Sequence, residues 1–146
     1  MCGGVEFKNG GKTQRVYFPS PKAALPVRLR SGKVAWLPWG RRESEAIALP
    51  QGGCARLESV QAGTWDRYHP QAVLIPAARF MEKDHDGHSR WYAVPENEWL
   101  QGLVTRGPGE PRLYVVTLEP PHELAVLHDR WPRLVSKTFP ASLAGQ

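Results

Sequence analysis

The sequence predicts one mixed α+β domain dominated by short antiparallel strands. Three observations carry that expectation. The chain has 146 residues, enough for a single core that buries roughly 68–70% of the unfolded surface. Its 14 prolines and 14 glycines are spread along the whole length, which disfavours long helices and favours short strands with turns. Its apolar segments are brief, and several alternate with polar residues as half-buried strands do. No repeat, linker or low-complexity tract interrupts it, so a single domain over residues 1–146 is expected.

The elements follow in order. Gly10-Gly11 marks a turn before residues 14–18, where Val16 and Phe18 alternate as in a strand. Residues 27–30 and 33–37, joined through Ser31-Gly32, form an expected β-hairpin that ends at Trp39-Gly40. Residues 41–45 are a charged loop, and Gly52-Gly53 introduces a short alternating segment over 54–60. Residues 72–76 are apolar enough for a buried strand, continued in extended form over 78–82 and closed by a polar turn at 83–88. A second hairpin is expected from residues 90–94 and 99–104 around Pro95. After a loop over 107–111, residues 113–117 form a strand, 121–127 at most two turns of helix, and 131–135 a last strand.

Composition removes several function classes. No apolar run approaches a membrane span, and no basic segment followed by an apolar core opens the chain, so neither a membrane protein nor a secreted one is expected. Two cysteines, Cys2 and Cys54, make no disulfide framework and suit a reducing, cytoplasmic setting. The net charge of +5 permits a polyanionic partner without requiring one. Six tryptophans suit either base stacking or a small β-core, with the core taking the larger share. Gly11-Lys12-Thr13 resembles the end of a phosphate-binding loop, but Glu6 stands where its first glycine belongs. His85 and His88, even with both cysteines, lack the spacing of a zinc site, so no metal and no cofactor are expected.

The residues that could carry chemistry begin at Met1-Cys2-Gly3. An initiator methionine before a small cysteine is normally trimmed, which would leave Cys2 with a free amine and a thiol on adjacent carbons. Such a 1,2-aminothiol can condense with an aldehyde and close a thiazolidine ring. The alternative is a cysteine of no consequence at a frayed terminus. His128, in Leu127-His128-Asp129-Arg130-Trp131-Pro132, is either a proton shuttle or a surface histidine in a charged turn. Glu82, after Arg79-Phe80-Met81, is either a general acid raised by apolar neighbours or an ordinary strand-end carboxylate. Arg56 either holds a phosphate or pairs with Glu58.

In order along the chain these pieces resemble the SOS response-associated peptidase (SRAP) family. The matching motifs are Met1-Cys2-Gly3, Trp39-Gly40, Cys54-Ala55-Arg56-Leu57-Glu58-Ser59, Leu74-Ile75-Pro76-Ala77 leading to Glu82, Val115-Val116-Thr117, and His128-Asp129-Arg130-Trp131-Pro132. The resemblance covers residues 1 to about 136. It implies a compact α+β fold on a curved, barrel-like β-core, and binding of single-stranded DNA with covalent trapping of abasic sites. It implies that Cys2 forms the thiazolidine, that Glu82 assists sugar ring opening, and that His128 assists proton transfer. It further implies that Arg56 contacts the DNA backbone, with Cys54, Trp39 and Arg130 completing the strand-binding set. A monomer acting near the nucleoid of a bacterial or phage-infected cell is expected.

The chain departs from the family pattern at several places. Cys54 stands where the family has Asn, Gly4 where it has Arg, and Lys83 where an aromatic commonly follows the glutamate. The aromatic wedge expected after Trp-Gly is absent from residues 41–49, and typical members extend further beyond the His-Asp-Arg motif. A shortened, divergent member of phage or prophage type is therefore the expectation. The alternatives are a cysteine-dependent peptidase using Cys2 and His128, and a nucleic-acid-binding module without chemistry.

Overall fold

The computed structural model describes residues 2–107 and 109–137. Met1, on which the expected processing rests, and Pro108 of the expected 107–111 loop lie outside the described residues. The chain is mostly β. Its strands are β1 (Cys2–Asn9), β2 (Lys12–Tyr17), β3 (Ala24–Arg28), β4 (Val34–Pro38), β5 (Cys54–Arg56) and β6 (Gln71–Ile75). They continue with β7 (Arg79–Lys83), β8 (Ser89–Ala93), β9 (Glu98–Thr105), β10 (Arg112–Leu118), β11 (Trp131–Pro132) and β12 (Leu134–Ser136). One short helix, α1 (Leu57–Gln61), and 3₁₀ turns at Asp66–Tyr68 and His122–Leu124 complete the described elements. No helix among them is long and apolar enough to cross a membrane.

The strands build two sheets. The first has the order β2-β1-β7-β8 and is antiparallel throughout. The second runs β11-β10-β9-β6-β3-β4, with β12 on β9 and β5 parallel to β10. Val5, Phe7 and Phe80 of the first sheet bury themselves against Leu25, Val73, Ile75, Leu100, Leu113 and Val115 of the second. On the far side of the second sheet, Leu103, Tyr114 and Val116 pack with Ala55, Val60 and Trp65. Leu113 to Val116 thus alternate between two cores, which explains an uninterrupted apolar run in a strand covered on both faces. Each such buried side chain contributes about 1.5–3 kcal/mol.

Strands expected over 14–18, 72–76, 78–82 and 113–117 and the hairpin of β3 with β4 are present within a few residues. Three expectations are corrected. Residues 54–60 are not one strand: the ladder with β10 ends at Arg56, and the chain turns into α1 to cover the second core with Val60. Residues 90–94 and 99–104 are strands but not a hairpin. β8 pairs with β7 in the first sheet, whereas β9 crosses into the second between β6 and β10. The segment over 121–127 supports only a 3₁₀ turn.

Candidate functional site

The site is organised by an irregularity in β1. Pairing runs regularly from Glu6–Arg79 to Gly4–Met81, then shifts so that Cys2 rather than Gly3 lies opposite Glu82. The extra residue is a β-bulge, which bends a strand and re-aims a side chain. It turns Cys2 into the interior between the sheets, where Cys2 is 2% exposed and Glu82 is 0% exposed. The Cys2 thiol donates weakly to the Gly4 carbonyl at 3.6 Å. Burial, with the Cys54 thiol and Glu82 carboxyl nearby, pushes the Cys2 thiol well above its ordinary range. Burial likewise raises Glu82 to about 7, so this carboxyl is half protonated near neutrality.

Cys54 enters the same pocket from the second sheet. Its Sγ lies 3.5 Å from the Cys2 carbonyl oxygen, and burial pushes the thiol up to about 12. Trp39 positions it. The indole N–H donates to the Gly53 carbonyl at 2.8 Å, fixing the residue before Cys54. Gly40 has φ +61°, and a Cβ there would meet the Gly52 carbonyl oxygen at 2.1 Å, so no other residue fits this crossing. Trp39 is 0% exposed and packs against Phe18. Its expected contact with DNA is corrected: the ring is a core residue that shapes the pocket wall.

His128 lies in the loop after the 3₁₀ turn at His122–Leu124 and is 2% exposed, so it is not a surface histidine. Its Nδ1 lies 3.1 Å from the Lys83 carbonyl, which only accepts, so the ring proton sits on Nδ1. Nε2 then accepts from the Tyr92 hydroxyl at 2.7 Å. Tyr92 is stacked on Phe80 and packed edge-on against Trp131. Its hydroxyl is raised above its usual range by burial, with Glu82 among its neighbouring charges. Cys2, Cys54 and Glu82 therefore meet in the core, whereas His128 contacts Tyr92, Trp131 and the Lys83 carbonyl. Sequence reasoning missed Tyr92. Nothing in the linear sequence marked it, because only the β7–β8 register sets Tyr92 beside the inward Phe80.

The expected phosphate contacts divide. Arg130 is buried and bound bidentately to Glu58 at 2.8 and 2.9 Å, with a further bond to the Thr117 carbonyl at 2.8 Å. That clamp ties the His128 loop to β10 and α1, so Arg130 is corrected from strand contact to structural tie. Its guanidinium holds Glu58 down to about 2. Arg56 does not win Glu58 and stays exposed at the end of β5.

The groups weighed for metal or phosphate lie apart from this pocket. His85 is exposed and bonded to Asp129 at 3.0 Å. Asp84, Asp86 and His88 offer ligand atoms within 4.8 Å of one another, but Asp84 already accepts from Arg90 at 2.9 Å and from two backbone N–H groups. Lys12 and Thr13 belong to an exposed strand rather than a phosphate loop. Compared with known proteins, the chain matches no family model and no significantly similar curated relative.

Proposed function

We propose that this protein captures abasic sites in single-stranded DNA as a thiazolidine on Cys2, the activity implied by its resemblance to the SRAP family. The observation that carries the reading is the bulge that sets Cys2 against Glu82 in the dry interior between the sheets. The two-sheet β-core supports the coarse fold the resemblance implies, and a curved, barrel-like form belongs to the same proposal. The reading requires a chain processed to begin at Cys2. The Cys2 amine attacks the C1′ aldehyde of the ring-opened sugar, and the resulting hemiaminal loses water to give an imine. The thiol sulfur then adds to the same carbon and its proton passes to the imine nitrogen, so one water is released overall. Proximity favours both steps because amine and sulfur share one residue.

Glu82 supplies what the thiol lacks. With its carboxyl near 7, it can give a proton to the sugar ring oxygen and take one from sulfur in the same pH range. A thiol held protonated by burial needs such a partner. The Cys–His peptidase alternative finds less support. The Cys2 thiol is directed to Gly4, and both ring nitrogens of His128 are engaged by Tyr92 and Lys83.

The test is a single-stranded oligonucleotide with one abasic site, mixed with protein whose loss of Met1 has been verified by mass. A denaturing gel is expected to show a shifted band that Cys2→Ala abolishes. No band from correctly processed protein would sink the crosslinking reading.

A further inference from the structure

The outer face of the first sheet is not used by the pocket. Cross-strand pairing puts Tyr17, Gly4, Met81 and Trp91 in one row across β2, β1, β7 and β8. The next row holds Arg15, Glu6, Arg79 and Ala93, and Lys83 pairs with Ser89 on the other flank. Gly4 leaves a gap in the first row. A Cβ there would meet Trp91 at 3.3 Å and Met81 at 3.0 Å, because the indole lies across the glycine. Tyr17 reaches into the same gap, and the two rings meet edge to face at 6.0 Å. The Arg15 guanidinium covers the Trp91 ring at 4.1 Å and donates to Glu6 at 2.9 Å.

This face is cationic at its rim, with Trp91 half-buried over the buried Gly4 and Met81. Tyr17 is 43% exposed, and Lys8, Arg15, Arg79 and Lys83 are all exposed, against one carboxylate, Glu6, among the described residues of the face. A hollow of about 520 Å³ opens beside Tyr17, with Arg15, Pro21 and Lys22 on its walls. The exposed Tyr17 ring and the Arg15 plane that lies over Trp91 offer a surface on which bases can stack. Cations flanking the rings suit the phosphates between those bases. An apolar protein partner would leave Lys8, Arg79 and Lys83 without counter-charges, so charge complementarity favours a polyanion.

We infer that the Tyr17–Trp91 row, with Arg15, Arg79 and Lys83, is a docking surface for an unpaired nucleic-acid strand. It rests on the proposed reading for its connection to Cys2 and Glu82, which sit one row further along the same strands but on the inward face. It replaces Trp39 and Arg130, which the fold commits to the interior.

The experiment measures anisotropy of a labelled thymidine oligonucleotide without abasic sites, across a salt series. Trp91→Ala is expected to weaken binding roughly tenfold or more. Arg79→Gln with Lys83→Gln, both at exposed positions that leave the fold intact, is expected to weaken binding and flatten the salt dependence. The slope should become shallower by roughly 0.7 for each cation removed. Unchanged affinity in both variants, with a loss in Arg56→Gln, overturns the inference. So does a concentration-dependent dimer that Trp91→Ala abolishes while no strand binds. The abasic-site gel separates the two readings. A crosslink formed at full rate by Arg79→Gln/Lys83→Gln overturns the docking face alone, whereas intact-strand binding without any crosslink overturns the chemistry alone.

Discussion

The two faces of the β2-β1-β7-β8 sheet are built from the same four strands and differ in almost every physical respect. Inward, Cys2, Phe80 and Glu82 are dry, and burial keeps the thiol and half of the carboxyl population neutral. Outward, one residue away along each strand, Arg15, Arg79 and Lys83 remain charged in water beside Tyr17 and Trp91. Alternation of side chains lets one short strand serve both environments. What alternation alone would not do is bring Cys2 inside; the bulge between Cys2 and Gly4 does that. The difference teaches that a dry, neutral interior and a charged, solvated surface can be separated by a few ångströms of backbone.

The contrast breaks most sharply at Glu82. Glu82→Ala is expected to slow crosslinking by roughly 10²–10⁴-fold, the usual worth of a placed proton donor or acceptor. Binding of intact strands should not change, because the side chain faces away from the outer surface. Loss of both together would mean that the faces are not independent. The same residue makes a stability prediction. Glu82 near 7 keeps a proton in the native state that the unfolded chain releases near 4.5. Native stability is therefore greatest below that window and falls as pH rises through it. Glu82→Gln removes the titration, so the variant should gain up to about 3 kcal/mol on wild type between pH 4 and pH 8. Urea unfolding at the two pH values reads it, and a constant difference would show that burial does not raise this carboxyl.

How much of this was legible in the sequence differs between the faces. Glu82 after an apolar run and His128 beside Trp131 were visible as residue types, and both are buried. β1 was not legible as a strand, since Gly3-Gly4 has little strand propensity and Cys2 drew attention for its chemistry alone. Its pairing with β2 across the Gly10-Gly11 turn and with β7, which is distant in sequence, supplies what propensity lacks. The outer platform was hidden for a related reason. Arg15, Tyr17 and Trp91 become neighbours only through register, across a glycine that reads as a weakness in the linear chain. Trp39 and Arg130 misled because a tryptophan and an arginine look alike on either side of a surface. Their partners, the Gly53 carbonyl and Glu58, are long-range.

Tyr92 sharpens the inner side of the comparison with a smaller effect. Tyr92→Phe keeps the ring on Phe80 and Trp131 and deletes only the hydroxyl that donates to His128. One hydrogen bond of about 0.5–1.5 kcal/mol is lost, and the crosslinking rate should fall roughly tenfold or less. As a positioning residue, Tyr92 should change the rate and leave binding of intact strands unchanged. An unchanged rate would remove the Tyr92–His128 contact from the chemistry.

The smallest effect belongs to the outer face, and its smallness is the point. Arg15 is 42% exposed in its side chain, so its pair with Glu6 and its stack on Trp91 are weak and screened by solvent. Arg15→Gln should therefore destabilise the fold only slightly, with the ion-pair share vanishing in high salt. Thermal unfolding at low and high salt measures both shares. A loss of several kcal/mol that salt does not reduce would make Arg15 part of the packing, and the outer face would then be a structural surface rather than one held open for a strand.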